Sequence, residues 1–415
     1  MRIAMVTDYY LPTLGGVQTV VKAHREMLEA AGHEVVVCTP LAAPSTDPQI
    51  IRLPTARGFA PDDYPFTWTP GAAARALTAA LAGLRVDVVH VHTEMFAALA
   101  GYEAAQALDL PVVQTMHGRI DVYTRAVLPV PSITTVLLAA LHRRRMPHDR
   151  ARLDASTPYT RTRTARRMWR LMVSQANHAD HVIVPSSHFA QKLLAQGVTT
   201  PLTVLSNGIE ASVLDAVGSP AARRVESGDE LRVLWCGRLS PEKRPEVFAE
   251  AVRRTPGIRA DMVGDGVSRA VVARHARRVG DGRLVVHGGV SQWQVLEAMR
   301  EAHVLVSSSL DFDNQPMVIL EAIASGLPVI VTDPDLAETV PHGAGCVTGS
   351  PDAEGLASAL AALRDDPERV TRMSAAAIAG RDRIAQSTHG EALLDVYRAA
   401  ITRRSTRGTA GPTSR

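Results

Sequence analysis

The run HVLVSSSLDFDNQPMVILEAIASGLPVIVTD, residues 303–333, reads as strand, loop, helix and strand in quick succession. HVLVSSS (303–309) is a short apolar run, Asn314-Gln315-Pro316 marks a turn, and a helix starts at about Met317. Gly326 stops that helix, and PVIVTD (328–333) begins the next strand. Both strands are near-continuously apolar, as in a parallel sheet covered on its two faces. Two of the acids in the run, Asp313 and Glu321, have seven residues between them. Glu321 lies among Ile319, Leu320 and Ile323, where a carboxylate is costly unless something binds it. Either neighbours satisfy these acids, or they face a polyhydroxylated or cationic ligand.

The same alternation extends in both directions. Upstream, LRVLWCGRL (231–239), IRADMVGDG (258–266) and RLVVHGGV (283–290) are strands that end in glycine-bearing loops, and GCVTGS (345–350) follows downstream. An earlier series consists of RIAMVTD (2–8), EVVVCT (34–39), IIRL (50–53), VDVVHVHT (86–93), VVQTMHG (112–118), HVIVPS (181–186) and TVLSNG (203–208). Helical spacing separates most of them, first at Val17, Val20, Val21, Met27, Leu28 and Ala31. This pattern predicts two doubly wound α/β domains in tandem. The boundaries read as 1–208 for the first domain, 209–230 for a small, polar linker and 231–385 for the second domain. A C-terminal helix over 386–403 is expected to pack back on the first domain, followed by a disordered tail over 404–415.

Composition narrows the classes. The chain has 415 residues, 46% apolar and 21% charged, with a net charge of +3, too small for a bulk polyanion binder. Aromatics at 4% argue against a single-strand nucleic-acid binder, and no nucleic-acid partner is expected. The charge is uneven: His142–Arg170 holds ten Arg against two Asp, or 10 − 2 = +8. The three cysteines, Cys38, Cys236 and Cys346, lie far apart in strand-like runs and read as free thiols in a reducing compartment. No leader peptide and no apolar run of membrane-spanning length is seen, which points to the cytoplasm.

In open α/β sheets ligands bind beyond the C-terminal strand ends, and the remaining motifs lie there. Gly15-Gly16 closes the loop after the first strand and opens a helix, which suits either an anion at the helix N-terminus or a tight turn. His90 and His92 share a strand face; His90 reads as structural, whereas His117, at the next strand end, reads as a site residue. Arg238 and Lys243 follow the first strand of the second domain and could offset a diphosphate; the plainer reading is a solvated loop with a Glu242–Lys243 surface pair. The VGDG turn at Gly264–Gly266 lacks the third glycine of a dinucleotide fingerprint, since Arg269 stands there. His287-Gly288-Gly289 would let a base lie against backbone. Asp313 and Glu321 could each accept two hydroxyls of a sugar or ribose; otherwise Asp313 caps a helix and Glu321 is a surface acid.

Taken together, these residues resemble the retaining glycosyltransferases of family 4, which have the GT-B fold of two Rossmann-like domains facing across a cleft. The resemblance spans roughly residues 1–400. It rests on the acid-x7-acid element Asp313–Glu321, the loop Gly15-Gly16, the strand-end His117, the pair Arg238 and Lys243, and LSNGIE (205–210) as the inter-domain element. One departure is Asp313, where the family usually has Glu, a side chain one methylene longer.

The resemblance implies transfer of a hexose from a nucleotide-diphosphate sugar, of UDP-glucose or GDP-mannose type, with retained anomeric configuration. Arg238 and Lys243 would neutralise the departing diphosphate and Glu321 would hold the ribose. Asp313 and the backbone around Gln315, Pro316 and Met317 would position the sugar, with His117 beside it. Gly15, Gly16, Gly266 and His287 complete the donor site. No metal is required, and no Asp-x-Asp follows a strand in the donor half outside the Asp311-x-Asp313 spelling. For the acceptor, Ile133, Val136, Leu137 and Leu141 share a helical face just before the basic block, and Trp169 lies among its cations. That combination suits an anionic membrane surface, hence a peripheral enzyme acting on a lipid, lipid-linked or glycan acceptor; the plainer reading is a solvated Arg-rich surface. A sugar-nucleotide epimerase of the same fold, a soluble small-molecule glycosyltransferase and a non-catalytic sugar-nucleotide binder are the competing readings. An NAD oxidoreductase fits less well.

Overall fold

The computed structural model describes residues 1–12, 15–55, 65, 67, 70–127, 130–146, 153–226 and 228–409. It divides into two compact units, Met1–Ser206 with His389–Arg415, and Asn207–Thr388.

The first unit is built on seven parallel strands: β1 (Arg2–Val6), β2 (Glu34–Pro40), β3 (Ile50–Leu53), β4 (Val88–Val91), β5 (Val112–Thr115), β6 (His181–Val184) and β7 (Leu202–Val204). Their order is β3-β2-β1-β4-β5-β6-β7. Winding reverses between β1 and β4, which are paired in register Ile3 to Val88 through Val6 to Val91. The apolar runs follow from burial on both faces. Ala4, Val6, Val36, Cys38, Val89 and Val91 pack against Leu77, Leu81 and Phe96 of the helices Pro70–Leu84 and Phe96–Ala107. Ile3, Met5, Val35, Val37, Val88 and Val113 pack instead against Val21 and Leu28 of the helix Gly16–Ala30. Leu393, Tyr397 and Ala400 from the last helix, Gly390–Thr409, complete that second face.

The second unit has six strands: β8 (Leu231–Cys236), β9 (Ile258–Val263), β10 (Leu284–Gly288), β11 (Val304–Ser307), β12 (Val329–Val331) and β13 (Gly345–Val347). They are ordered β10-β9-β8-β11-β12-β13, all parallel, with the reversal between β8 and β11. The helix Met317–Ala324 between β11 and β12 is buried over most of its length, because apart from Glu321 it is apolar all round.

Three expectations change. The segment read as a linker, 209–230, carries a helix at Ala211–Val217 and belongs to the second unit. Residues 404–409 continue the last helix rather than starting a tail, with Arg404 bonded to Asp109 at 2.9 Å; residues 410–415 lie outside the described residues. That helix also starts at Gly390, after a short 3-10 turn at Gln386–His389, and not at 386.

Candidate active site

In the second unit the predicted donor residues lie on loops that are stitched together. Trp235 at the end of β8 donates its indole N–H to Ser308 Oγ (2.8 Å), which in turn donates to the Lys243 carbonyl (2.7 Å). Thr332 Oγ1 donates to the Ser309 carbonyl, and Asp333 accepts from the Asp311 amide at 2.6 Å. The loops after β8 and β11 are thereby held side by side, at the place where the winding reverses.

That arrangement brings Lys243 to Asp313. The ammonium contacts both carboxylate oxygens, at 2.6 and 2.8 Å, and lies 5.4 Å from the centre of the Phe312 ring. Their side chains are 21% and 12% exposed, so the pair is sheltered yet reachable. Lys243 is therefore not the solvated partner of Glu242. The Glu242 side chain is buried instead and accepts from Ser240 Oγ (2.6 Å) and from Arg238 (3.2 Å). Arg238 stays partly exposed on the same loop. Two cations five residues apart thus share the loop after one strand end, each already paired with an acid.

Glu321 lies within its helix, buried, and accepts from Gln292 Nε2 at 2.8 Å. Burial raises its pKa and the nearby Glu210 adds to this, while the Gln292 bond opposes them. It is not a surface acid. Burial pushes the Cys236 thiol at the end of β8 up to about 12, with the charge of Glu321 adding to this and that of Lys243 opposing it. Gln315 turns its side-chain oxygen to the Asn207 amide at 2.7 Å, and Pro316 caps the helix that Met317 opens. Asp313 is not that helix's cap, since its carboxylate is taken by Lys243.

The glycines of the VGDG turn have a steric reason. The loops after β8 and β9 are zipped by Gly237 N–H to the Val263 carbonyl (3.0 Å) and Leu239 N–H to the Asp265 carbonyl (2.8 Å). A Cβ on Gly264 would lie 1.8 Å from the Gly237 oxygen, and one on Gly266 would lie 2.6 Å from the Leu239 oxygen. His287 points to Asp261 on the neighbouring strand (2.6 Å), near the sheet edge, rather than joining the lysine cluster.

In the first unit Gly15 has extended backbone, which any residue adopts. Its value is space: a Cβ would meet the buried Gln18 side-chain oxygen at 2.6 Å. Gly16 opens the helix; residues 13 and 14 of that loop lie outside the described residues. His117 follows β5 and is partly exposed. It belongs to a group of histidines whose extent the spelling did not disclose. His92 Nδ1 lies 3.1 Å from His117 Nε2, and the His90 ring lies 3.9 Å from that of His92, centre to centre. His24, from the helix Gly16–Ala30, lies 5.6 Å from His92. Burial drives all four toward the neutral form, His24 down to about 4 and His117 to about 3, with mutual repulsion adding to it among the histidines. His90 is structural: its nitrogens contact Tyr397 OH (2.8 Å) and Thr115 Oγ1 (2.7 Å).

His24, His90 and His92 each offer a nitrogen within 4.8 Å of the others, the one cluster among the described residues able to hold a metal ion. An ion there would have to displace a hydrogen bond of His90. Two further groups gave no local signal. Arg119 and Asp121 form a buried pair (2.7 Å) beneath Tyr159 and Trp169, and Glu94 is a buried acid after β4 whose pKa burial raises well above the usual range.

The basic block divides. Trp169 is fully buried, 4.9 Å from the Tyr159 ring, and so is not an interfacial anchor. The helix Pro131–Arg145 does expose Ile133 and Leu137, each 59%, together with Val136 and Arg143, Arg144 and Arg145. A cavity of about 540 Å³ beside it is lined by Val136, Ala139, Ala140, Arg143, Arg167 and Arg170. Residues 147–152 of the block lie outside the described residues. Among the described residues no helix is long and apolar enough to cross a membrane.

Comparison with known proteins agrees with this architecture. The family model "Glycosyltransferase Family 4" matches residues 14–213, and "Glycosyl transferases group 1" matches residues 230–366. The chain is 24% identical over 400 residues to alpha-monoglucosyldiacylglycerol synthase of Acholeplasma laidlawii, covering 90% of this chain and 91% of that protein. It is 29% identical over 341 residues to D-inositol 3-phosphate glycosyltransferase of Streptomyces griseus, covering 76% and 67%. The solved sucrose-phosphate synthase of Thermosynechococcus elongatus superposes with a TM-score of 0.70 at 19% identity, over 96% of this chain and 98% of that one. The protein is a family 4 glycosyltransferase with two Rossmann-like domains of GT-B type.

Proposed function

We propose that this enzyme moves a hexose, with retained configuration and without a metal, from a nucleotide-diphosphate sugar to a lipid or lipid-linked acceptor at an anionic membrane surface. The presence of Arg238 and Lys243 on the loop after β8, with Lys243 clasped by Asp313, is the observation that carries the donor reading. A diphosphate offers more negative charge than one carboxylate. On binding it draws Lys243 from Asp313, and the carboxylate is released to accept sugar hydroxyls. Arg238 and Lys243 then stabilise the charge that develops on the leaving nucleoside diphosphate. Glu321, with one oxygen held by Gln292, keeps its other for ribose, and Gln315, Pro316 and Met317 present the backbone of a helix start to the sugar. In this reading the backbone at Gly15, Gly16, Gly266 and His287 would complete the donor contacts, and His117 would lie beside the sugar.

The acceptor reading rests on the exposed apolar and cationic face of the helix Pro131–Arg145 and the Arg-lined cavity beside it. The relative named for diacylglycerol supports it. The same face would serve peripheral attachment to the inner face of the cytoplasmic membrane.

The test is a donor screen with UDP- and GDP-sugars, with and without vesicles containing anionic phospholipid and diacylglycerol, counting released nucleoside diphosphate. Release that needs one donor and rises with the vesicles is expected. Release that ignores lipid would overturn the acceptor reading and point to a soluble or glycan acceptor. Reversing Arg143, Arg167 and Arg170 to Glu should abolish sedimentation with the vesicles; unchanged sedimentation would remove the membrane surface from the reading.

A further inference from the structure

We propose that His92 is a positioning residue: it donates its Nδ1 proton to His117 Nε2 and so holds the His117 proton on Nδ1, facing away from the pair. The inference rests on the placement of His117 beside the donor sugar, and it assigns which hydrogen-bonding group His117 can present there.

The geometry requires one ring to donate to the other. The two rings are inclined by only 15° and their centres lie 5.4 Å apart. That separation leaves one ring radius on either side of the 3.1 Å contact, so the imidazoles meet edge to edge in nearly one plane rather than stacking. Two neutral rings can make this contact in two ways. In the first, His117 carries its proton on Nε2 and donates to His92 Nδ1. The His92 proton then resides on Nε2. That atom is sealed from solvent and has no hydrogen-bond partner. A buried N–H without an acceptor costs roughly 1–3 kcal/mol. In the second, His92 carries its proton on Nδ1 and donates it, and Nε2 is left as a bare lone pair. Unsatisfied acceptors are tolerated more readily than orphaned N–H groups. The second arrangement wins.

The surroundings of His92 hold it neutral and fixed. It is fully buried on the strand end, with the His90 ring 3.9 Å away. His90 is clamped on both nitrogens by Tyr397 and Thr115, and so cannot turn to relieve His92 Nε2. In the chosen arrangement His117 holds its proton on Nδ1, the form that a free imidazole side chain favours less. It can then donate from Nδ1, while its Nε2 accepts from His92. The tautomer of a site histidine is commonly set in this way, by what its second nitrogen touches.

The experiment is long-range nitrogen–proton NMR on protein with ¹⁵N-labelled histidines, without substrate, His117 being assigned by its loss in His117→Gln. Wild type should show both His92 and His117 protonated on Nδ1 alone. In His92→Phe the His117 signal should move to the Nε2-protonated or mixed form. His92→Asn, whose amide N–H can take the place of Nδ1–H, should restore the Nδ1 form. Turnover should follow: kcat about tenfold lower in His92→Phe, with KM for the donor little changed, and within about threefold of wild type in His92→Asn. An Nε2-protonated His117 in wild type would overturn the proposal without any variant. An unchanged His117 tautomer in folded His92→Phe would also overturn it. If no donor is turned over while the NMR result holds, the transferase assignment of His117 fails and the tautomer relay stands.

Discussion

Replacing His24 with glutamine should flatten the acid side of the first unit's stability curve. His24 is buried against His90 and His92, with ring centres 6.1 and 5.6 Å away. Burial, with a smaller contribution from His389, lowers its pKa from 6.5 to about 4. A depressed histidine pKa has a definite sign. Above about pH 6.5 the folded and unfolded states are both neutral at this position, and the group contributes nothing. As pH falls, the unfolded chain takes up a proton that the folded core refuses, so stability is lost until the folded pKa is reached. Between pH 7 and pH 5 the linkage relation gives a loss of about 2 kcal/mol for this group. The buried acids Asp8 and Glu94 have raised pKa values and pull the other way, but they are common to both proteins and cancel in the difference. The stability gap between wild type and His24→Gln, whatever its size at pH 7, should therefore close by about 2 kcal/mol at pH 5. Urea unfolding at matched ionic strength measures it, in a background with Trp235 and Trp293 replaced by Phe so that fluorescence reports the first unit. A gap that stays constant between the two pH values would refute the reasoning that burial holds His24 neutral.

Other substitutions probe the donor site. Arg238→Ala and Lys243→Ala should each lower turnover on the order of a hundredfold, read as nucleoside diphosphate release, because in the proposed site each removes a charge that offsets the leaving group. Glu321→Gln should raise KM for the donor roughly tenfold and leave kcat nearly intact, since hydroxyls bound to a carboxylate are held in ground and transition state alike. Gly264→Ala places a Cβ 1.8 Å from the Gly237 oxygen, and differential scanning calorimetry should show the second unit destabilised by more than about 4 kcal/mol.

The donor and acceptor predictions rest on features that differ in how far local spelling reveals them. Glu321 was conspicuous because acids are rare in runs as apolar as MVILEAIASG, and Asp313 because it lies in the loop just before that helix. Glycine signals were legible as loops, yet whether Gly266 serves a ligand or a neighbouring loop depended on what lay opposite, and Leu239 lies there. Trp169 is instructive. RRMWRLM shows cations around an aromatic, and only the packing of Met168, Leu171 and Met172 tells that the tryptophan faces inward, with Arg170 outside.

By itself the sequence determined the strands, the helix starts at Gly16 and Met317, the two parallel sheets and the strand ends where chemistry gathers. These follow from apolar periodicity and from glycine and proline stops, which act over a few residues. Only the tertiary structure decided the partners. Lys243 reaches Asp313 across 70 positions, His90 reaches Tyr397 across 307, and Glu242 turns inward to Ser240 and Arg238 instead of outward to its neighbour. A buried charge or imidazole takes whichever partner the packed chain brings within about 3 Å, and that distance is set by the fold rather than by spacing along the chain.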